Sequence, residues 1–200
     1  MKVVLASRSP QRRALLDALG VEFEVEEPRV TEMEDGEPGE IVLENARWKA
    51  ASIAAVQAPG TLVIAGDTEV VLDGAVLGQP EAEAEAREHL ERLSGREHEV
   101  LGAVALMGPE ADEQERPRAR SGVASTRVRF RDLDERLLDV YLASGEWQGR
   151  AGSYAIQGLG AALVEKVTGD VANVIGLPVG LLLELAPELV PGRGQPFQRG

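Results

Sequence analysis

The opening run Val3-Val4-Leu5-Ala6-Ser7-Arg8-Ser9-Pro10-Gln11-Arg12-Arg13 sets hydroxyls and cations where an anion could sit. Arg12 and Arg13 fall in the first turn of a helix, where the macrodipole is already positive. Each is unfavourable there by roughly 0.3–1 kcal/mol. An anion held by hydroxyls, helix N–H groups and guanidinium forks would reverse that penalty. Arginines along the solvated side of an ordinary strand–turn–helix would leave it standing. A second stretch, Thr61 to Leu72, sets the cluster Gly66-Asp67-Thr68-Glu69 inside a hydrophobic strand. An unpartnered buried carboxylate is costly, so Asp67 needs a metal, a basic partner or a wet cleft. The bland alternative is a bulge at Gly66 where the strand leaves the core. A third feature is the helical stripe Val42, Ala46, Ile53 and Val56, which also takes in Asn45 and Lys49. That ammonium either snorkels to water or meets an anion across a polar cleft. The segment Gly149 to Gly160 surrounds Tyr154 and Gln157 with glycines, as close backbone approach to a ligand, or simply a tight loop, would require.

Elements that could position these groups follow from the apolar period and its punctuation. The first apolar run reads as a buried strand. Ser9 then caps a helix, Pro10 occupies its first position, and Leu15, Leu16 and Leu19 turn inward before Gly20 stops it. Val21, Phe23 and Val25 alternate with glutamates as a half-exposed strand. An acidic loop runs from Glu27 to Glu40, in which Glu32 is a candidate ligand only if another feature points to it. The spacing predicts a helix from about Glu40 to Val56. It then predicts a central strand over Thr61–Leu72, with Asp73-Gly74 as a two-residue hairpin turn into Ala75–Leu77. Pro80 opens a helix over Glu81–Leu93. Strands His98–Met107 and Gly122–Phe130 flank a charged tip from Pro109 to Arg120. A helix over Asp134–Ala143, a strand over Ala161–Val167 and a last helix ending near Leu185 complete the chain. His98, with no second histidine spaced to help it, reads as a structural hydrogen-bonder.

Composition narrows the class of function. With 200 residues, 44% of them hydrophobic, the chain can bury a core as one domain or two small lobes over residues 1–190, followed by a tail over 191–200. The formal net charge of −13 argues against a surface for polymeric nucleic acid, but not against a small anion in a local basic cleft. The absence of cysteine excludes disulfides and thiolate metal sites and fits the cytoplasm. The first residues are too briefly apolar for a secretory signal, and no stretch is long enough to span a membrane. With two histidines, any metal is a hard, oxygen-bound one such as Mg²⁺ or Mn²⁺. No Gly-x-Gly-x-x-Gly opens the first helix, which speaks against a dinucleotide-binding dehydrogenase.

Read together, Leu5-Ala6-Ser7-x-Ser-Pro, Glu44-Asn45-Ala46-Arg47-Trp48-Lys49-Ala50, Gly66-Asp67-Thr68, Gly95-Arg96-Glu97-His98-Glu99-Val100, Tyr154-Ala155-Ile156-Gln157-Gly158 and Asn173-Val174-Ile175-Gly176-Leu177-Pro178 stand in one order over nearly the whole chain. In this the chain resembles the Maf family of septum formation inhibitor-like nucleotide pyrophosphatases. The resemblance implies a two-lobed α/β fold, with an extended mixed sheet, a deep central cleft and a homodimeric assembly. It also implies metal-dependent hydrolysis of nucleoside triphosphates between the α and β phosphates. By motif, Asp67 becomes the general base and a metal ligand, and Glu32 a metal or water-positioning carboxylate. Ser7, Arg12 and Lys49 become triphosphate contacts, and Gln11, Thr68 and Gln157 tune base choice. Thr68 and Gln157 look like the subgroup acting on dTTP and UTP, whereas the subgroup acting on 7-methyl-GTP carries Gln and Glu there. Gln11 departs from the Arg usual in the dTTP/UTP subgroup, and Gln79 stands where a phosphate-binding Lys is typical. The rival readings are a purine triphosphate pyrophosphatase and a non-catalytic nucleotide-binding regulator of division.

Overall fold

The computed structural model describes residues 1–111 and 117–189. Its centre is a seven-stranded mixed sheet in the order β2-β1-β3-β5-β6-β7, with β4 paired to β3. Strand β1 (Lys2–Ala6) runs parallel to both β2 (Glu24–Glu26) and β3 (Thr61–Leu72). Strands β5 (Glu97–Ala111), β6 (Pro117–Phe130) and β7 (Val164–Thr168) continue the sheet in antiparallel sense. Alternation along the strands sends successive side chains to opposite faces. Val3, Leu5, Leu62, Ile64, Val104 and Leu106 thus pack on one face with Leu16 of α1 (Pro10–Ala18) and Leu182 of α6 (Val179–Leu185). Their neighbours Val4, Ala6, Val63, Ala65, Ala103 and Ala105 pack on the other with α2 (Pro38–Ala54). The far ends of the long strands build a separate core with α3 (Glu83–Leu93) and α4 (Glu135–Ser144), centred on Phe130, Tyr141 and Leu90.

The local signals hold where they are chemically specific. Ser9 caps α1 by accepting from the Arg12 N–H, and Gly20 follows the helix at a φ of +69°. Asp73 and Gly74, at φ of +53° and +80°, make the short turn that β4 (Ala75–Leu77) requires. Asp134, expected as the first residue of its helix, stands just before α4 and caps it by accepting from the Leu137 N–H.

Other expectations need correction. Helix α2 ends at Ala54 and leaves Val56 75% exposed, because the chain turns there and the apolar period no longer meets the sheet. Strand β2 keeps only Glu24–Glu26, since β1 offers three partners there. The expected tip from Pro109 to Arg120 is shorter: paired backbone reaches Ala111 and resumes at Pro117, and residues 112–116 lie outside the described residues. Helix α3 begins at Glu83, and the strand expected from Ala161 begins at Val164, after a 3₁₀ turn over Gly158–Ala162. The last helix, α6, ends at Leu185 as expected, but a short helix α5 (Val171–Ile175) precedes it, with Gly176-Leu177-Pro178 between the two. The tail expected over 191–200 lies outside the described residues. Among the described residues no helix is long and apolar enough to cross a membrane.

Strand β3 carries the feature that creates a site. On one edge it pairs with β5 without interruption from Val63 to Val71, so no bulge relieves Asp67. On its other edge β1 stops at the Ala6–Ala65 pair, and β4 begins only at Val70–Leu77. Gly66 to Glu69 therefore presents an edge with no strand beside it among the described residues. A cavity of about 720 Å³ opens there.

Candidate active site

Asp67 lies on that open edge with 5% exposure, and Lys49 reaches it from α2 with 7%. The Lys49 Nζ donates to Asp67 Oδ1 at 2.7 Å and to Glu32 Oε2 at 2.8 Å. The anion that explains a lysine in an apolar stripe is thus built into the chain. Pairing the buried ammonium with the buried Asp67, and with the exposed Glu32 beside it, offsets the desolvation that would otherwise make either burial costly.

Glu32 arrives there through Asn45, a residue to which sequence reasoning assigned no role. Asn45 accepts from the Met33 N–H at 2.7 Å and donates to the Met33 carbonyl at 3.0 Å, gripping both backbone groups of the acidic loop. Its amide also makes a long 3.5 Å contact with Asp67 Oδ2. The signal was visible in the sequence: a polar amide one helical turn before Lys49, on a face that must be dry.

Arg12 folds back across the first turn. Its Nε donates to the Gly176 carbonyl at 2.8 Å, Nη1 to Ser7 Oγ at 3.4 Å, and Nη2 to Thr68 Oγ1 at 3.1 Å. Gly176 is the C-cap of α5, so the guanidinium lost to a positive helix start is recovered at a negative helix end. A guanidinium carries five N–H donors, so these contacts leave one on each terminal nitrogen. Burial holds the Arg12 pKa below its ordinary value, against the pull of Asp67, Glu32 and Glu69. The buried Ser7 hydroxyl accepts from the Ser9 N–H at 3.1 Å, closing the turn, and Ser9 Oγ donates to Gln11 Oε1 at 2.9 Å.

All the residues singled out from sequence (Ser7, Gln11, Arg12, Glu32, Lys49, Asp67, Thr68 and Gln157) line the one cavity. Lys49 binds Asp67 directly, Arg12 binds Thr68, and Gln157 is exposed, with no hydrogen bond to either group among the described residues. Arg13 is exposed and does not line the cavity.

Sequence reasoning passed over Glu69, Glu146 and Arg150, which also line it. Burial first, then repulsion from Asp67, pushes the Glu69 carboxyl up to about 7. Glu146 accepts from the Leu159 and Gly160 N–H groups at 2.9 and 3.0 Å, shaping the turn that follows Gln157. Behind the wall His98 Nε2 lies 2.9 Å from the Tyr154 hydroxyl, the structural hydrogen bond expected of it. Among the described residues no three His, Cys, Asp or Glu side chains are grouped to hold a metal by themselves.

The family model for Maf-like proteins matches residues 2–189. The chain belongs to the Maf family. Among curated relatives, this Maf chain is 40% identical over 191 residues to a protein of Dictyoglomus thermophilum, covering 94% of this chain and 96% of that one. It is 43% identical to one of Deinococcus radiodurans (92% and 91% covered) and 44% identical to one of Methylococcus capsulatus (93% and 88%). Each of these relatives is named a dTTP/UTP pyrophosphatase. A looser likeness, with a TM-score of 0.43 and 23% identity, links 65% of the chain to 74% of a nucleoside-triphosphatase/dITP/XTP pyrophosphatase structure from Mycobacterium abscessus.

Proposed function

We propose that the chain hydrolyses nucleoside triphosphates between the α and β phosphates, with dTTP and UTP as its preferred substrates. It would clear unwanted pyrimidine nucleotides, modified ones included, from the precursor pool as a cytoplasmic homodimer. One observation carries this reading. A nearly buried carboxylate, Asp67, is ion-paired to a nearly buried lysine on an unpaired strand edge, in the wall of a cavity that also holds the Arg12 guanidinium.

Asp67 acts as general base. Its Oδ1 is taken by Lys49, while Oδ2 has only the long contact from Asn45 and keeps lone pairs for a water proton. The deprotonated water oxygen bonds to the α phosphorus. The bond from that phosphorus to the bridging oxygen breaks, and pyrophosphate leaves with the electron pair. Lys49, Ser7 and the unused Arg12 N–H groups bind the phosphate chain and offset the charge that shifts onto the leaving group. Gln11, Thr68 and Gln157 face the rest of the nucleotide and set base choice.

Glu32 and Asp67 already share the Lys49 ammonium, and the carboxylate oxygens it leaves free would suit a hard divalent cation that takes its other ligands from water and substrate phosphate. Mg²⁺ or Mn²⁺ held there would neutralise phosphate charge and draw electrons from the reacting phosphorus.

A panel of nucleoside triphosphates with Mg²⁺ or Mn²⁺, assayed for pyrophosphate against orthophosphate, tests the proposal. Pyrophosphate from dTTP and UTP is the expected product, and Asp67→Asn should lower turnover by about 10²–10⁴ while still binding nucleotide. Orthophosphate alone would refute α–β cleavage, and preference for 7-methyl-GTP would refute the pyrimidine assignment. An Asp67→Asn protein with full turnover would remove the base.

A further inference from the structure

The cavity's charged groups are almost all spoken for. Lys49 is shared between Glu32 and Asp67, Arg8 pairs with Glu27 at 3.4 Å, and Glu146 is held by backbone N–H groups. Among the cations of the cavity Arg150 is the exception: it is half-buried and lines the cavity, yet its side chain makes no hydrogen bond or ion pair among the described residues. An arginine in a recess that also holds Glu69 and Glu146 would ordinarily find one of those carboxylates.

Its backbone, in contrast, is held on every side. Gly149, Gly152 and Ser153 have φ of +65°, +64° and +65°, a region that costs a serine about 1 kcal/mol or more. Ser153 stays there because its hydroxyl lies 2.8 Å from His89 Nδ1 within the core. The Gly152 N–H donates to the Gly78 carbonyl at 3.1 Å, which sets the loop against the neutral Gln79. A Cβ at Gly152 would come within 2.9 Å of all the branching carbons of Val70, next to Glu69 on the open edge. Burial pushes the Tyr141 hydroxyl up to about 12, and that hydroxyl accepts from the Ala155 N–H, which ties the loop after Arg150 to α4. Ala155 itself lines the cavity.

We propose that Arg150 is a phosphate-binding residue of this chain, a guanidinium on a pre-positioned backbone that takes the phosphate chain of the nucleotide in the cavity it shares with Arg12 and Lys49. This rests on the triphosphate reading above, since the phosphate chain is the anionic part of that ligand. Arg12 and Lys49 hold the chain from the β3 edge and α2, and Arg150 closes on it from the loop that also carries Gln157. The fork of a guanidinium suits two oxygens of one phosphate.

The test compares the full-length protein with Arg150→Met, which keeps the aliphatic stem, and Arg150→Lys, which keeps the charge. The expected result for Arg150→Met is a KM for dTTP raised about 10- to 100-fold, with kcat within a few-fold of the unmutated protein. The dissociation constant of a dTTP analogue with a methylene between the α and β phosphorus atoms should rise by the same factor, and that of dTMP by less than twofold. Arg150→Lys should recover part of the loss. Thermal midpoints should match closely, because the side chain makes no hydrogen bond or ion pair to lose and Met keeps its aliphatic packing. A KM and analogue affinity within twofold of the unmutated protein would overturn the proposal, as would equal losses for analogue and dTMP. If the unmutated protein bound the analogue but released no pyrophosphate from dTTP, the cleavage reading would fail and Arg150 would still be judged by the binding arm. No analogue binding at all would overturn both.

Discussion

Behind the Tyr154 wall of the cavity, His98 is 3% exposed and sits edge-on to both Phe130 and Tyr154. Its Nε2 has the Tyr154 hydroxyl, but Nδ1 is buried without a partner. A protonated ring would need acceptors for both N–H groups and has only one, so burial pushes its pKa down from 6.5 to about 4. The unfolded chain keeps the ordinary value and takes up a proton first as pH falls. Stability is therefore fully present above about pH 6.5 and lost as pH falls toward 4, at roughly 1.4 kcal/mol per pH unit, or about 3 kcal/mol in all. His89, whose pKa burial also lowers, acts in the same direction. The contribution of His98 is isolated by comparison with His98→Gln, which keeps a donor for Tyr154 and cannot titrate. Urea unfolding followed by tryptophan fluorescence suits the protein, because Trp147 is buried in the same core. Measured at pH 7.5, 6.5, 5.5 and 4.5, the stability advantage of the unmutated protein over His98→Gln should shrink by most of that amount. A difference that stays constant between pH 7.5 and 4.5 would refute the argument that the buried ring resists protonation.

Asn45→Ala releases Met33 from α2 and with it Glu32 from Lys49. Stability should fall by about 1–3 kcal/mol and kcat/KM about 10- to 100-fold, with faster amide hydrogen exchange over residues 30–36; unchanged exchange there would show the loop is held by other contacts. At Gly102, a Cβ would lie 1.8 Å from Asn173 Oδ1. Asn173 cannot yield cheaply, since it is fully buried and donates to the Val100 carbonyl and Thr126 Oγ1. Gly102→Ala should accordingly cost about 2–4 kcal/mol in urea unfolding and lower turnover through the α5 segment that offers Gly176 to Arg12. A neutral result would mean that α5 can shift without loss.

Much of the site was legible because its members are residues of the wrong type for their local setting. Arg12 in a positive helix start, Lys49 in an apolar stripe and Asp67 in a hydrophobic strand each raise a local free-energy conflict, and such conflicts can be read one segment at a time. The same holds for the cap and the turn: Ser9-Pro10 and Asp73-Gly74 act within a few residues of themselves, so neighbours in sequence suffice. What resolves the conflicts was not legible. Arg12 is satisfied by Gly176, and Lys49 by Glu32 from a loop whose period says nothing about where it packs. The lengths of β2, β5 and β6 were misjudged for the same reason, since a strand ends where its partner ends. The sequence by itself determined which groups could not be left alone, and hence the kind of chemistry they serve. Only the tertiary structure decided that β1 pairs with β3 no farther than Ala65 and β4 no nearer than Val70, leaving the edge from Gly66 to Glu69 open. That gap is set by pairing between strands far apart in the chain, and it turns a set of isolated anomalies into one cavity.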